Sequence, residues 1–213
     1  MAETMDRSRV LQRRRSPLHR LGEELSTGGG EAVSLREIPF LAQIGLRAAR
    51  GSEGADALEQ ALGGQLPGGV GQVTALDGDR HLLWLGPDDF LLIAPDEADG
   101  GPDPAQLTAQ LRDALGEHSG QVTDLSANRT TLELSGPRAQ EVLDKSVRID
   151  LDPLAFPIGS ALVTLLGGVG VILWRTEEHT VRVMPRSSFA VHTAQWLLDG
   201  MREFVAEGRP GGL

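Results

Sequence analysis

The chain contains no cysteine and no tyrosine among its 213 residues, and aromatic residues make up only 4% of it. Without thiols it cannot form disulfides, a thiolate nucleophile, iron–sulfur ligation or a cysteine-type zinc site. This lack fits a reducing compartment, and we expect a cytoplasmic protein. With 40% apolar and 23% charged residues, the composition is typical of a globular protein. Its core is expected to consist mostly of leucine, valine, isoleucine and alanine.

Positive charge is scarce as well, since Lys145 is the only lysine and the net charge is −10. An acidic surface repels phosphates, which argues against a nucleic-acid partner. Basic residues are concentrated at the start of the chain: Arg7, Arg9, Arg13, Arg14, Arg15, Arg20 and His19. Glu3 and Asp6 interrupt the positive charge of the first twenty residues, and no apolar targeting segment follows. Over a nucleic-acid tail or a transit peptide, we favour a basic, flexible tail over residues 1–32 that orders only against a partner.

One long stretch lacks charge altogether, from Ile158 to Trp174. Its 17 residues reach the lower length limit of about 17 for a membrane-spanning helix. Glycines at 167, 168 and 170 lie at its middle, and β-branched residues flank them. A buried strand, a glycine turn and a second buried strand explain this pattern better, so no membrane is expected.

The rest of the chain alternates strand-like and helix-like segments. Strands are predicted at 40–46, 72–76, 81–85, 90–94, 121–125, 130–134 and 181–184. Helices are predicted at 55–62 and 104–115 and after Pro137. A last helix is predicted after Ser187 and Ser188, which could cap it. It would carry on one side Phe189, Trp196, Leu197, Met201 and Phe204. We predict an α+β fold of two quasi-repeated antiparallel units, 33–119 and 120–213, with helices packed on one face of the sheets.

A weak internal repeat supports the two units. Leu83, Trp84 and Pro95 recur 90 positions later as Leu173, Trp174 and Pro185. An acidic turn lies between the tryptophan and the proline in both copies. The spacing predicts that Trp84 and Trp174 occupy equivalent places.

No residue pattern points to a reaction. The histidines, which lack metal-binding spacing, are His19, His81, His118, His179 and His192. Adjacent acids at Asp88 with Asp89 and Glu177 with Glu178 are expected to be solvated turn residues rather than an acid and a base. The glycine clusters at 63–71 and 167–170 lack the order of a dinucleotide site, and the sequon at Asn128 follows no signal peptide. We predict no catalytic, cofactor-binding or metal-binding residue.

Several long segments carry a family resemblance. They are Ser16-Pro17-Leu18, VSLREIPFLAQIGLR (33–47), LWLGPDDFLLIAP (83–95), VTDLSANRTTLELSGPR (122–138) and LWRTEEHTVRVMPRSSF (173–189). The fourth resembles the strand, turn and Gly-Pro helix entry of the folate-binding aminomethyltransferase fold. Within that superfamily, the whole set is most similar to the gamma subunit of heterotetrameric sarcosine oxidase.

This resemblance implies a non-catalytic small subunit. The complex demethylates sarcosine oxidatively to glycine, forming hydrogen peroxide and 5,10-methylenetetrahydrofolate. Its partners would be the alpha, beta and delta subunits, which would carry FAD, FMN, NAD and tetrahydrofolate, whereas this chain would bind no cofactor. Where aminomethyltransferases place an acid after a glycine turn, this chain has only glycine and valine at 167–171. The alternative is a stand-alone, folate-binding aminomethyltransferase-like protein.

Overall fold

The computed structural model describes residues 7–207. Its helices are α1 Arg7–Arg13, α2 Gly22–Thr27, α3 Glu53–Leu62, α4 Pro104–Leu115, α5 Ala139–Asp144 and α6 Ala190–Glu207. Its strands are β1 Ser34–Ile38, β2 Ala42–Arg47, β3 Val73–Leu76, β4 Arg80–Gly86, β5 Asp89–Ala94, β6 Gln121–Asp124, β7 Thr131–Ser135, β8 Ala161–Leu166, β9 Val169–Glu177 and β10 Thr180–Pro185. Short 3-10 turns lie at Glu97–Asp99 and Ser187–Phe189.

The strands form two antiparallel five-stranded sheets, ordered β3-β4-β5-β2-β6 and β1-β7-β10-β9-β8. Below they are called the first and second sheet. Their membership corrects the predicted division at 119/120, because β1 belongs to the second sheet and β6 to the first. Only residues 39–41 separate β1 from β2, so the chain changes sheets there, and it changes back after β6. The two predicted halves therefore exchange one strand each.

Helices cover one face of each sheet, and the other two faces meet. On the first sheet, α3 and α4 bury a cluster that includes Leu58, Leu111 and Phe90. On the second sheet, α2, α5 and α6 bury a larger cluster. Between the sheets lie Leu83, Leu91, Ile93, Ala161, Ile172, Trp174 and Met184, called here the intersheet cluster. The predicted α+β fold with helices on one face of each sheet is confirmed.

Helix ends follow the local signals in the sequence. The Ser52 hydroxyl accepts a hydrogen bond from Ala55 N at 3.2 Å, which caps α3. Gly63 ends that helix in the left-handed region at φ 71°. The last helix differs from the prediction, because no side chain caps the turn that precedes it. Phe189 is 47% and Trp196 46% exposed, whereas Leu197, Met201 and Phe204 are buried, so the five residues do not share one side as predicted.

The uncharged stretch forms β8, a two-residue turn and β9, as expected. Gly167 and Gly168 take φ values of 56° and 86°, which L residues with side chains adopt at a cost. A Cβ added at Gly167 would also lie 2.9 Å from the ring of Trp196. Among residues 7–207, no helix has the length and apolar character needed to cross a lipid bilayer.

The 90-residue repeat aligns two hairpins, but matched residues of the two hairpins point to opposite faces of their sheets. Leu83 belongs to the intersheet cluster, whereas Leu173 faces the helices of the second sheet. Trp84 packs partly against the helices of the first sheet, whereas Trp174 belongs to the intersheet cluster. Side chains alternate along a strand, so a shift of one residue exchanges the two faces. The prediction that the two tryptophans are equivalent is therefore wrong.

The segment expected to be a flexible tail is largely folded against the second sheet. Leu18, Leu21 and Leu25 are 1%, 8% and 7% exposed and belong to the core under α6. Their spacing of three and four residues places them on one side of the chain as it enters α2. Residues 7–32 are thus part of the folded unit rather than an arm that needs a partner, which corrects the prediction. Residues 1–6 lie outside the described part.

Candidate functional site

A groove of about 980 Å³ lies between α1 and the body of the protein. One wall consists of α1, and the other comes from the β1–β2 turn and from the crossing that follows β6. Phe40 forms part of that turn at φ 59°, which is uncommon for a bulky residue. The guanidinium of Arg14 lies 4.3 Å from the centre of its ring. This cation–π contact joins α1 to the turn that changes sheets.

Ion pairs fasten α1 at its first residue, Arg7, and at Arg14, which directly follows its last. Arg7 Nε donates to Glu97 Oε1 at 2.5 Å, and Arg7 Nη2 lies 2.5 Å from Asp103 Oδ1. Arg14 Nη2 contacts both oxygens of Asp96, at 2.8 and 2.9 Å. The hydrogen bond from Arg7 holds the pKa of Glu97 below its ordinary value. Glu97 therefore stays ionised while it holds Arg7, which suits anchoring better than proton transfer.

The hydroxyl groups of the groove are engaged in local bonds. Ser126 Oγ donates to Asp124 Oδ1 at 2.6 Å, and Ser187 Oγ donates to the carbonyl of Ala127 at 2.8 Å. Thr130 Oγ1 donates to Glu37 Oε1 at 2.5 Å. None of the five histidines lines the groove. None of these three hydroxyls is therefore paired with an imidazole base.

Replacing Asp96 by asparagine is expected to release α1 more often. Asparagine keeps an oxygen for the bond from Ala98 N at 3.1 Å but loses the charge that holds Arg14. Trypsin cleavage after Arg13 should therefore accelerate about three- to tenfold, as expected for the loss of one charged contact. Asp113→Asn, on the exposed side of α4, is the matched control. Equal cleavage rates in the two variants would contradict the anchoring role.

The predicted polar residues are dispersed over the structure. His118 lies beside Glu53 at 3.2 Å, and His192 stacks near Trp196 on α6. His19 contacts the carbonyl of Ser16 at 2.8 Å. In the part of the chain that the structure describes, no group of three or more His, Asp or Glu side chains could hold a metal ion. That the protein binds no metal stays a prediction.

Both acidic pairs lie at hairpin turns: Asp88 precedes Asp89, the first residue of β5, and Glu178 follows Glu177, the last residue of β9. Asp89 is half-buried, and this burial raises the pKa of its carboxyl. Arg47 opposes the shift. The two turns belong to different sheets, so the structure does not assemble the pairs into one acid–base site.

His81 gives the stability a predictable pH dependence. Its ring lies 4.8 Å from Trp174, and burial lowers its pKa, opposed by Asp79 and reinforced by Arg182. As the pH falls through the ordinary histidine value of about 6.5, the unfolded chain takes up a proton before the folded chain does. The free energy of unfolding should therefore decrease. Denaturant titrations between pH 7.5 and 5.5 should show a smaller decrease in His81→Gln, and identical slopes would contradict it.

Comparison with known proteins identifies the family. The model of the "Sarcosine oxidase, gamma subunit family" matches residues 47–203. The chain belongs to the sarcosine oxidase gamma subunit family. The chain is 48% identical to sarcosine oxidase subunit gamma of Corynebacterium sp. strain P-1, over 91% of its own length and 93% of the relative. It is 49% identical to that of an Arthrobacter species, over 91% and 92%. The predicted family is confirmed.

Solved structures agree with this assignment. A chain of heterotetrameric sarcosine oxidase from Corynebacterium sp. U-96, in complex with pyrrole 2-carboxylate, aligns with a TM-score of 0.83 and 45% identity, covering 94% of this family member and 98% of that chain. Aminomethyltransferase T from Bartonella henselae aligns with a TM-score of 0.60 and 18% identity, covering 85% of this chain and 56% of that one. The second match shows the fold alone and confirms the predicted aminomethyltransferase-like architecture.

Sequence reasoning did not find the groove. Its residues come from α1, the β1–β2 turn, the loop before α4 and the crossing after β6, which are far apart along the chain. One available signal was the i, i+3, i+4, i+7 spacing of Arg7, Val10, Leu11 and Arg14, which places all four on one side of a short helix. The acidic partners gave no signal of their own.

Proposed function

We propose that this chain is the non-catalytic small subunit of a heterotetrameric sarcosine oxidase. It would assemble with alpha, beta and delta subunits, which would carry FAD, FMN, NAD and tetrahydrofolate. The complex would demethylate sarcosine to glycine and form hydrogen peroxide and 5,10-methylenetetrahydrofolate. A cytoplasmic location remains part of this proposal. The observation that carries it is the 45% identity, over nearly the full length of both chains, to a chain of a heterotetrameric sarcosine oxidase.

The groove chemistry supports a structural rather than a catalytic role. Its carboxylates at 97 and 103 pair with Arg7 of α1, and its third carboxylate, Asp124, accepts from Ser126 Oγ. The turn at Gly167 and Gly168 has no carboxylate, and Trp196 packs on it. A general acid or base cannot be built from the glycines and valines at 167–171.

One apolar surface suits contact with another subunit. β8 is an edge strand, and Val163 pairs with Ile172 of the intersheet cluster. Paired residues share one face of a sheet, so Val163 and Leu165 extend the intersheet face beyond the part that the first sheet covers. They are 56% and 40% exposed. Contiguous exposed apolar residues of this kind mark protein interfaces, and we assign this one to another subunit of the complex.

Co-purification tests the proposal. The tagged chain, expressed with the other subunit genes of its operon or cell, should co-purify with three further polypeptides in equal stoichiometry. The purified complex should form peroxide when sarcosine is added. Val163→Asp should weaken their recovery about tenfold or more, because a carboxylate would be buried without a partner. Val70→Asp, at a valine that is 71% exposed, is the matched control. Recovery of the chain alone, with folate-dependent turnover of its own, would instead indicate a stand-alone aminomethyltransferase-like protein.

A further inference from the structure

A second cavity, of about 260 Å³, lies beside the groove where the chain crosses from β6 to β7. Gln43, Asp89, Asn128, Arg129 and Arg186 are its polar lining residues. Its volume is slightly below the ~300 to 1,000 Å³ of pockets for drug-sized ligands. A ligand of a few heavy atoms would fill it.

Two neighbouring arginines line this cavity. Arg129 and Arg186 pair through their backbones as an isolated antiparallel bridge. Arg129 Nη1 donates to the carbonyl of Met184 at 3.2 Å, and Arg186 Nη1 reaches Asn128 Oδ1 at 3.5 Å. Neither arginine forms an ion pair with any carboxylate of residues 7–207. Burial and the charge of Arg186 both lower the pKa of Arg129, so an anion placed here would relieve desolvation and repulsion together.

A buried amide completes the lining. Gln43 is 1% exposed, and its Nε2 donates to the carbonyl of Arg129 at 3.1 Å. Its Oε1 has no hydrogen-bond partner among the described residues. A buried acceptor without a partner costs free energy, so this oxygen calls for a donor from a bound molecule. Asp89 adds a half-buried carboxylate that can accept from the same donor.

We propose that this cavity binds a small carboxylate that carries its own hydroxyl or N–H donor. The carboxylate lies between Arg129 and Arg186, whose guanidinium groups offer planar pairs of donors. The ligand's donor completes the hydrogen bonds of Gln43 Oε1. One anionic end and one donor end thus set the orientation of the molecule.

Calorimetric titration of the full chain with glycolate and with acetate tests both ends. Glycolate has the carboxylate and a hydroxyl, whereas acetate has the carboxylate alone. Glycolate should bind about three- to tenfold more tightly, as one hydrogen bond to a buried acceptor predicts. This pair of ligands tests Gln43 without altering a buried side chain. Equal affinities for glycolate and acetate would overturn the proposed donor contact. Sulfate that displaced the two ligands equally well would also overturn it.

Arg186→Gln tests the anionic end, and it should fold normally because the side chain is exposed. Its affinity for glycolate should fall about tenfold or more. Arg148→Gln, which removes the same charge from an exposed arginine outside the cavity, should leave the affinity unchanged. Equal losses in both variants, or no heat of binding at millimolar glycolate, would overturn the site. Binding to the isolated chain but not to the co-purified complex would instead assign the arginines to a carboxylate of a neighbouring subunit.

Discussion

Replacing Trp174 by alanine should lower the free energy of unfolding by about 3 to 5 kcal/mol, the range of large core truncations. The side chain is 4% exposed and lies between the two sheets. The Arg182 guanidinium lies 4.9 Å from its ring centre, and the His81 ring packs against it. Its removal would leave a cavity where the sheets meet, and surrounding strands cannot collapse into it easily.

Two other tryptophans are the controls for this experiment. Trp84→Ala should cost less, because the ring is half-buried and packs at the border of the helix-facing cluster. Trp196→Ala, at a ring that is 46% exposed, should cost least. Chemical denaturation followed by circular dichroism suits all three variants, because the far-ultraviolet signal comes mainly from the backbone and does not rely on tryptophan fluorescence. Equal losses at Trp84 and Trp174 would restore the equivalence that the sequence repeat predicted.

Local structure could be predicted from the sequence wherever the signal itself was local. Asp103 and Pro104 mark the start of α4, and Gly116 follows its end, so the predicted bounds of that helix agree with the structure. The glycine pair between β8 and β9 likewise specified a hairpin. Sheet membership could not be derived in this way. The pairing of β1 with β7 joins Leu35 to Leu134, and no property of either strand alone selects that partner.

The cavity beside the groove is also built from residues whose proximity depends on the fold. Gln43 lies in β2 between the buried residues Ala42 and Ile44, and a polar residue at such a position is a signal that sequence reasoning could have used. Arg129 and Arg186 lie more than fifty residues apart along the chain, so their pairing in a β-bridge could be found only from the folded structure. The sequence shows that histidines at metal-binding spacing and cysteines are absent. This absence bears on metal and acid–base chemistry, but it says nothing about anion binding.

The N-terminal segment was misinterpreted because its charge hid a weaker apolar pattern. Arginines and a histidine surround Leu18 and Leu21, and the composition of such a stretch resembles that of disordered chains. The leucines nevertheless bury almost completely, whereas the neighbouring arginines lie at the surface. Burial of a few large side chains can outweigh the entropy of ordering a short segment when the receiving surface is already formed.

Leu18→Ala should therefore lower the free energy of unfolding by about 2 to 5 kcal/mol, as other fully buried leucines do. The side chain is 1% exposed and contributes to the core of the second sheet. Leu154→Ala makes the same chemical change at a leucine that is 95% exposed and should cost less than about 0.5 kcal/mol. Thermal and denaturant unfolding of the two variants measure the difference. Similar stabilities would mean that this segment is the flexible tail that its composition suggests.

A chain that begins at Val33 extends the argument from one side chain to the whole segment. It would lack Leu18, Leu21 and Leu25 and would expose the part of the core that they cover. Its loss of stability should exceed that of Leu18→Ala, because three apolar side chains leave the core together. If the shortened chain proved unstable alone yet recovered in the co-purified complex, a neighbouring subunit would cover the exposed surface. Stability equal to that of the full chain would exclude a structural role for residues 7–32, and the arginines would then remain available for partner contacts alone.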